Sequence, residues 1–348
     1  MKNLIFFCFL FLSGCEISSV PAGTFSILNW NAQTFFDANN DGIEYQEFRK
    51  STSWNSDAYK TRLTRLCSVI LEADSDIVVL EEIENCRILY DISNQLAGNS
   101  WNSRKIYQYG FFSKNPGDAI GIGILSRFPM KNIKNHNLDI RTEPKKQPSM
   151  RPIVEFEVLT GGKTVKIFAN HWKSKSGGQE ETECWRNWQE KVLAKLMLEN
   201  SSESVIACGD FNRDITEFKK SEVEADIYRA ENIMLTDRVS TSHSEKVPVI
   251  SPWLKMYGEL IIPGSYWYNG KWERIDHFFG NSKIRIINFE PFTNELWCTK
   301  ELIPRRYKLY SQEGYSDHLP IKCVFQTVDW SFLIFLQKKL LFFFSWYN

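Results

Sequence analysis

Carboxylate, amide and imidazole side chains follow short apolar runs at several places along this chain. The pattern occurs at 77–80 before Glu81 and Glu82, at 165–169 before Asn170 and His171, at 205–208 before Asp210 and Asn212, and at Ile275 before Asp276 and His277. Short runs rich in β-branched residues that stop at polar residues are typical of buried strands, and such strands gather their ends on one edge of a sheet. The pattern therefore predicts a polar site at one sheet edge.

The candidate site residues offer oxygen and imidazole groups. They are Asn31, Glu82, His171, Asp210, Asn212, Asp276, Asp317 and His318. Hard oxygen ligands suit Mg²⁺, with Mn²⁺ or Ca²⁺ as alternatives, and a metal that keeps bound water suits phosphoester hydrolysis. A pairing of Asp276 with His318 would hold an imidazolium in place to offset phosphate charge. The sequence contains neither a CxxC pair nor HExxH, so a zinc site is not expected.

The elements that would position these residues alternate between strands and helices. Residues 24–31 have the strand period and end at Asn31, and residues 57–73 carry apolar side chains at helical spacing before the strand at 77–80. Further strands are predicted at 121–126, 152–159, 165–170, 205–208, 275–280 and 320–325, with a helix near 184–199. This order predicts an α/β (α+β) fold in which helices cover the sheet faces.

The composition is that of an ordinary globular domain. The chain has 348 residues, of which 43% are hydrophobic, so it can bury a large core. No long linker divides it, and one domain is favoured over two. Forty-two Lys and Arg residues balance 42 Asp and Glu residues, so any contact with nucleic acid must be local. No obligate protein partner is evident, and we expect a monomer.

An acidic loop follows the first predicted strand. Asp37, Asn39 and Asp41 occupy alternate positions before Gly42, as at the start of an EF-hand calcium loop. The twelfth position, which should hold a bidentate Glu, is Phe48, and the segment that enters the loop has the pattern of a strand. A turn near the site is therefore favoured over an EF-hand.

The N-terminus has the features of an exported lipoprotein. A basic residue precedes the apolar run 4–12, which suits a signal peptide, and Leu-Ser-Gly-Cys at 12–15 resembles the lipobox of bacterial lipoproteins. We expect a signal peptide at 1–14, a spacer at 15–23 and a lipid anchor at Cys15 that attaches the protein to a membrane. The expected location is the bacterial cell envelope, on its periplasmic or extracellular face. The alternative is a plain signal peptide.

The chain closes with an apolar tail of unknown role at 327–348. Lys338 and Lys339 interrupt it, and it lacks a clean span of about 18 apolar residues. A packed helix, an interfacial segment and an adventitious extension of the domain all fit this composition.

Seven segments resemble motifs of the endonuclease/exonuclease/phosphatase superfamily, the DNase I-like metal-dependent phosphodiesterases. They are LNWNAQ at 28–33, VLEEIEN at 79–85, GILSRFP at 123–129, NHWKSK at 170–175, GDFN at 209–212, RIDH at 274–277 and SDHLP at 316–320. Each segment alone is weak, but all seven occur in the family order. The resemblance implies a domain at 24–326 with a two-layer β-sandwich flanked by helices, the four-layer DNase I-like fold, and an active site at the strand ends.

The resemblance also implies roles for individual residues. Asn31 and Glu82 match metal ligands, and Asp317 matches an auxiliary or second-metal carboxylate. Asp210 matches the residue that orients or deprotonates the attacking water, and Asn212 matches the residue that holds the water or the phosphate.

The remaining matches concern the phosphate. His318, supported by Asp276, matches the phosphate-facing histidine, and His171 matches a second phosphate-binding or general-acid position. Lys173 and Lys175 follow His171 at alternate positions and would share its face. The candidate phosphate contacts are thus Lys173, Lys175, Arg274 and Arg151.

Two positions depart from the family pattern. Glu81 occupies a position that is often Gln in relatives, and a surface role is expected for it. The Tyr or Glu that assists the site in some relatives has no clear match, so the group that protonates the leaving oxygen is unassigned.

The favoured substrate is DNA or RNA, because residues 170–178 and 265–268 look most like those of secreted bacterial nucleases. The alternative is a phosphatase or a sphingomyelinase-like phospholipase that acts on phosphorylated lipid head groups. A non-catalytic binding lipoprotein is a third hypothesis, which the filled catalytic positions disfavour.

Overall fold

The computed structural model describes residues 23–98, 106–141, 144, 146–218, 232–236, 246–254 and 259–328. The helices are α1 Gln46–Lys50, α2 Ser56–Ala73, α3 Cys86–Gly98 and α4 Gln179–Glu199. The strands are β1 Thr24–Phe35, β2 Ile77–Ile83, β3 Tyr109–Ser113, β4 Gly121–Ser126, β5 Lys131–His136, β6 Ile153–Thr160, β7 Lys163–His171, β8 Ser204–Asp210, β9 Ile233–Leu235, β10 Val247–Val249, β11 Tyr266–Tyr268, β12 Lys271–Glu273, β13 Asp276–Gly280, β14 Ile284–Pro291 and β15 Ile321–Thr327.

The strands form two large sheets. The first has the order β14-β15-β1-β2-β4-β3, and the second has the order β13-β8-β7-β6-β5. Most neighbours are antiparallel, but β1 runs parallel to β2, and β7 runs parallel to β8. Two-stranded pairs, β9 with β10 and β11 with β12, lie outside these sheets.

The two sheets pack face to face because alternate residues of a strand point to opposite faces. Ile27 of β1 shares a core cluster with Phe156 and Ile206 of the second sheet. The next residue, Leu28, faces the other way, into a cluster with α2 and α3, while Leu193 of α4 packs with the second sheet. Fully burying each such side chain contributes about 1.5–3 kcal/mol. The result is the predicted two-layer β-sandwich flanked by helices.

The sequence pattern predicted most elements that reach the site. Every predicted strand is present, and the helix predicted at 57–73 is α2, whose start is capped by Asn55 through hydrogen bonds from the N–H groups of Asp57 and Ala58. The helix expected near 184–199 begins earlier, at Gln179. Helices α1 and α3 and strands β3, β5, β9–β12 and β14 were not predicted from the sequence. Strands β5 and β14 expose at least half of their residues, so they carry no buried run.

The ends of the chain are described only in part. The first strand begins at Thr24 and the last ends at Thr327. The expected signal peptide, Cys15 and residues 329–348 of the tail lie outside the described residues. Within the described ranges, no helix combines the length and the apolar character needed to cross a bilayer.

Candidate active site

Two pairs of parallel strands bring the polar residues to one edge. Asn31 of β1 lies opposite Glu81 of β2, and His171 of β7 lies opposite Asp210 of β8. The amide nitrogen of Asn31 donates to Glu82 Oε1 at 3.3 Å and to Asp210 Oδ2 at 3.0 Å. Polar residues of both sheets therefore meet at one edge, as the sequence pattern predicts, although β1 continues past Asn31 to Phe35.

A β-bulge at the end of β2 turns Glu82 toward this edge. The pairing with β4 passes from Glu81 to Ile83 and skips Glu82, which has a φ of 63°. This left-handed conformation is strained for a residue with a side chain, and such strain occurs often at functional sites. Thr34 N donates to Glu82 Oε2 at 2.6 Å.

The same bulge leaves Glu81 inside the protein. Its side chain is 0% exposed, and burial raises the pKa of its carboxyl well above the ordinary value. The expectation that Glu81 lies at the surface is therefore wrong. The sequence alone does not show which of the two adjacent glutamates is buried. The bulge in the folded strand gives their side chains different directions.

Asp210 is held by the turn that follows β8. Gly209 has a φ of 139°, and a Cβ atom there would lie 1.9 Å from the carbonyl oxygen of Asn170, so glycine is required. Asn212 N donates to Asp210 Oδ1 at 2.8 Å. Burial, followed by the charge of Asp276, raises the pKa of Asp210 to about 7. A carboxyl group with a pKa near neutrality suits a general base.

His318 and Asp276 form a buried pair, with His318 Nδ1 and Asp276 Oδ2 2.8 Å apart. The histidine backbone is fixed on both sides, because His318 N donates to Ser316 Oγ and Trp30 Nε1 donates to His318 O. Burial lowers the pKa of His318, but the charges of Asp276 and Asp210 outweigh it, and the pKa lies well above the ordinary value. The two carboxylates therefore favour the imidazolium form of the ring.

His171 faces the two central carboxylates. Its Nε2 lies 3.9 Å from Glu82 Oε1 and 3.8 Å from Asp210 Oδ2. Burial, followed by the charge of Arg151, lowers the pKa of His171 well below the ordinary value. A neutral imidazole can hold a water molecule or a phosphate oxygen by a hydrogen bond, but it is a weak proton donor.

The carboxylates of Glu82 and Asp210 fit a divalent cation. They converge within hydrogen-bonding distance of one amide, and their oxygens are the hard ligands that such cations prefer. A tighter group is formed by Asp210, Asp276 and His318, whose ligand atoms lie within 4.8 Å of one another. A positively charged His318 ring would repel a cation from that group, so the position beside Glu82 suits the divalent cation better.

Two predicted metal ligands have other contacts. The amide oxygen of Asn31 accepts from Gln33 N at 2.9 Å, and its nitrogen faces both carboxylates. In this orientation Asn31 bridges the carboxylates, and direct ligation would require its amide to release Gln33. Asp317 lines the cleft, where its Oδ2 lies 3.7 Å from Arg306 Nε.

The site opens into a cleft of about 840 Å³. Arg151, Lys175 and Arg306 line it together with the acidic residues. Lys175 Nζ also lies 3.0 Å from Glu273 Oε2, so part of its charge is already balanced. The walls thus combine three basic side chains with several acidic ones, on a chain with no net charge.

Two predicted phosphate contacts are directed elsewhere. Among the described residues that line the cleft, neither Lys173 nor Arg274 appears. Strand β7 ends at His171, so the alternation expected for Lys173 does not continue, and its Nζ donates to the carbonyl oxygen of Ser174. Arg274 donates from Nε to Ile261 O at 2.9 Å. The structure therefore does not support a phosphate contact for either residue.

Aromatic side chains form one wall of the cleft. The backbone of Tyr266 pairs with that of His318, and their rings lie 4.7 Å apart. Tyr268 stacks on Tyr266 at 6.0 Å, with an interplanar angle of 14°, and is 54% exposed. The nuclease-like segment 265–268 therefore places the ring of Tyr266 beside His318 and the exposed ring of Tyr268 against Tyr266.

Two other residues that line the cleft could not be identified from the sequence. Tyr45 and Tyr307 come from segments that are distant in sequence, and both reach the cleft. The backbone of Tyr307 is held by two hydrogen bonds with the side chain of Gln33. Burial, followed by the charge of Glu82, raises the pKa of Tyr45. Only the folded arrangement could reveal these residues.

Comparison with known proteins agrees with this geometry. The model of the Endonuclease/Exonuclease/phosphatase family matches residues 28–318. No curated protein matches the chain in sequence. Similar solved structures include D. rerio TDP2 complexed with single strand DNA product, at 17% identity and a TM-score of 0.54, covering 87% of this chain and 99% of that chain.

Two further structures share the fold. The human Nocturnin catalytic domain with bound sulfate anion is 17% identical, with a TM-score of 0.53 and coverage of 88% and 96% of the two chains. A family protein from Bacteroides thetaiotaomicron is 14% identical, with a TM-score of 0.54 and coverage of 89% and 100%. This chain belongs to the endonuclease/exonuclease/phosphatase family and is a hydrolase of phosphoester bonds.

Proposed function

We propose that the protein is a Mg²⁺-dependent nuclease that cleaves DNA or RNA by attack of a water molecule oriented by Asp210. The arrangement around Asp210 carries this proposal. Its buried carboxyl has a pKa of about 7, accepts a hydrogen bond from Asn212 N, and lies beside Glu82 and the His318–Asp276 pair. A base, a cation ligand and a fixed positive charge thus share one cleft.

Each residue has a distinct task in this proposal. Asp210 accepts a proton from the attacking water, and Asn212 holds that water or a phosphate oxygen. His318, fixed by Asp276, places positive charge against the phosphate, where charge develops in the transition state. A bound Mg²⁺, held by Glu82 with Asp210 beside it, would add Lewis-acid stabilisation of a phosphate oxygen.

The aromatic wall supports nucleic acid over a lipid head group as the substrate. Tyr268 is exposed and stacks on Tyr266, which touches His318. Stacking of a base on such a ring is worth about 1–3 kcal/mol, and it does not require a particular base. The shared fold of D. rerio TDP2, whose structure holds a single strand DNA product, supports the same assignment.

The test is hydrolysis by the full chain of single-stranded DNA, plasmid DNA, RNA, sphingomyelin and inositol phosphates, each with Mg²⁺ and with EDTA. We expect Mg²⁺-dependent cleavage of nucleic acid that EDTA abolishes. Turnover of sphingomyelin or inositol phosphates without cleavage of nucleic acid would replace this proposal with the phospholipase or phosphatase alternative.

Single substitutions test the catalytic residues and the aromatic wall independently. Asp210→Ala and His318→Ala should each lower kcat by about 10²-fold or more. Tyr268→Ala should raise KM for single-stranded DNA but leave hydrolysis of a small aryl phosphodiester unchanged, because only the polymer offers a base to stack. Asp139→Ala removes an exposed carboxylate that pairs with Arg141, and it serves as the control. Full activity of the first two variants would refute the site.

A further inference from the structure

The acidic loop after β1 forms a compact carboxylate cluster outside the cleft. Asn39 N donates to Asp37 Oδ1 at 2.6 Å, and the N–H groups of Asp41 and Gly42 donate to the two oxygens of Glu44. Gly42 has a φ of 91°, which the tight turn requires. The loop lies between β1 and the short helix α1, so it is not an EF-hand, in agreement with the prediction from the sequence.

A buried glutamate from β2 completes this cluster. Glu84 follows the last residue of β2 and is 1% exposed. Its Oε2 accepts from Asp37 N at 2.6 Å, whereas its Oε1 has no hydrogen-bond partner in the part of the chain that the structure describes. An unpaired buried carboxylate oxygen is costly, and it indicates that another group belongs there.

The spacing of the carboxylates suits one cation. Oxygen atoms of Asp41, Glu44 and Glu84 all lie within 4.8 Å of one another. Two ligands of the same Ca²⁺, each at about 2.4 Å, lie at most about 4.8 Å apart. Asp37 adjoins this group through its backbone N–H, which donates to Glu84, whereas its own carboxylate accepts three hydrogen bonds from other groups, so the cluster has three carboxylates.

No positive side chain balances these charges within the described residues, since none of the three carboxylates forms an ion pair with Lys or Arg there. The guanidinium of Arg49 donates to the carbonyl oxygen of Gly42 and not to a carboxylate of the cluster. Like charges this close repel strongly in a partly buried site. A divalent cation would remove the repulsion.

We propose that Asp41, Glu44 and Glu84 bind a structural Ca²⁺ ion. Glu84 supplies from β2 the closing carboxylate that the loop lacks at Phe48. Ca²⁺ fits better than Mg²⁺ because it accepts many carboxylate oxygens in flexible geometry, whereas Mg²⁺ demands near-octahedral ligands and keeps its waters. The site is separate from the catalytic cleft, and its existence does not depend on the proposed substrate.

Trp54 provides a reporter for this site. Its Nε1 donates to the carbonyl oxygen of Asp37 at 2.7 Å, so the indole lies against the loop. Tb³⁺ substitutes for Ca²⁺, and its luminescence rises when a nearby tryptophan transfers energy to it. The measurement is made on full-length Glu82→Gln, in which the principal catalytic cation ligand is lost.

We expect sensitised Tb³⁺ luminescence that Ca²⁺ displaces at much lower concentration than Mg²⁺. Trp54→Phe should abolish the luminescence while isothermal titration still detects one Ca²⁺. Asp41→Asn and Glu84→Gln should each raise the Kd for Ca²⁺ by about 10-fold or more, because affinity follows the number of charged ligands. Glu84→Gln keeps an oxygen that can accept from Asp37 N, which protects the fold.

Asp57→Asn is the matched control, since it removes an exposed carboxylate at the start of α2. In that variant and in the parent, Ca²⁺ should raise the thermal midpoint, and in Asp41→Asn the rise should disappear. Unchanged Ca²⁺ affinity in both Asp41→Asn and Glu84→Gln would overturn the site. Equal affinity for Mg²⁺ and Ca²⁺ would overturn its identity as a calcium site. Loss of nuclease activity alone would affect only the proposed function.

Discussion

Replacing Asp276 with Asn should shift the whole pH profile of the enzyme toward acid. Asp276 Oδ2 lies 2.8 Å from His318 Nδ1, and both side chains are at least nine-tenths buried. Its negative charge raises the pKa of His318, and it also raises the pKa of Asp210. Asparagine keeps the shape and an oxygen acceptor but removes the charge, so both pKa values should fall.

The size of the effect follows from the geometry. Two unit charges whose centres are about 4 Å apart interact by about 4 kcal/mol at an effective dielectric constant of about 20, which corresponds to about 3 pKa units. Burial already opposes the charge on His318, so without Asp276 the ring should be neutral at physiological pH. Loss of this fixed charge should lower kcat/KM at neutral pH by about 10²- to 10³-fold.

The assay is kcat/KM as a function of pH for the parent and for Asp276→Asn, with an NMR titration of the His318 ring in each. We expect both limbs of the profile to move to lower pH, with partial recovery of activity on the acid side. An unchanged alkaline limb would mean that His318 does not act as an imidazolium. An acid limb that moved upward would contradict the assignment of Asp210 as the base.

The pKa of Asp210 rises from 3.8 to about 7 on folding, so ionisation of its carboxyl destabilises the fold by up to about 4 kcal/mol. This destabilisation is complete above pH 7 and absent below pH 3.8. In EDTA, Asp210→Asn should therefore raise the thermal midpoint at alkaline pH but not at acid pH. Gly209→Ala should destabilise the fold by about 3 kcal/mol or more in urea titrations, because its Cβ would strike Asn170, whereas Gly98→Ala meets no atom within 4 Å and should have little effect. Cys15→Ser should abolish lipid labelling in a bacterial host and release the protein from the membrane fraction; unchanged fractionation would refute the anchor.

Most residues of the site were predictable because the reactive side chains lie at or near the ends of buried strands. His171 and Asp210 each close a buried strand, whereas β1 continues past Asn31 to Phe35 after an irregularity in its pairing, and the parallel pairs β1/β2 and β7/β8 place these residues at one edge. Local apolar patterning is strong in buried strands and records where each of them stops. The pairing of Asp276 with His318 was inferred from the chemistry of the two groups and matched by the family resemblance, and the structure places them in hydrogen-bonding contact.

The directions of side chains were less predictable. The bulge that separates Glu82 from Glu81 depends on pairing with β4, which the local sequence does not encode. The direction of Arg274 is set by the carbonyl oxygen of Ile261, on a separate segment. Tyr45 and Tyr307 reach the cleft through tertiary packing alone. In each case the deciding partner is distant in sequence.

The catalytic cleft and the proposed calcium site share one piece of backbone. Thr34 N donates to Glu82 Oε2, and Asp37 N donates to Glu84 Oε2, both at 2.6 Å, so two alternate glutamates at the end of β2 hold the same segment. An ion bound at Glu84 would fix this segment and, through it, the carboxylate of Glu82. We therefore expect Asp41→Asn to raise the Mg²⁺ concentration needed for half-maximal hydrolysis, with kcat at saturating Mg²⁺ unchanged. An unaltered Mg²⁺ requirement, measured with Ca²⁺ present, would show that the two sites act independently.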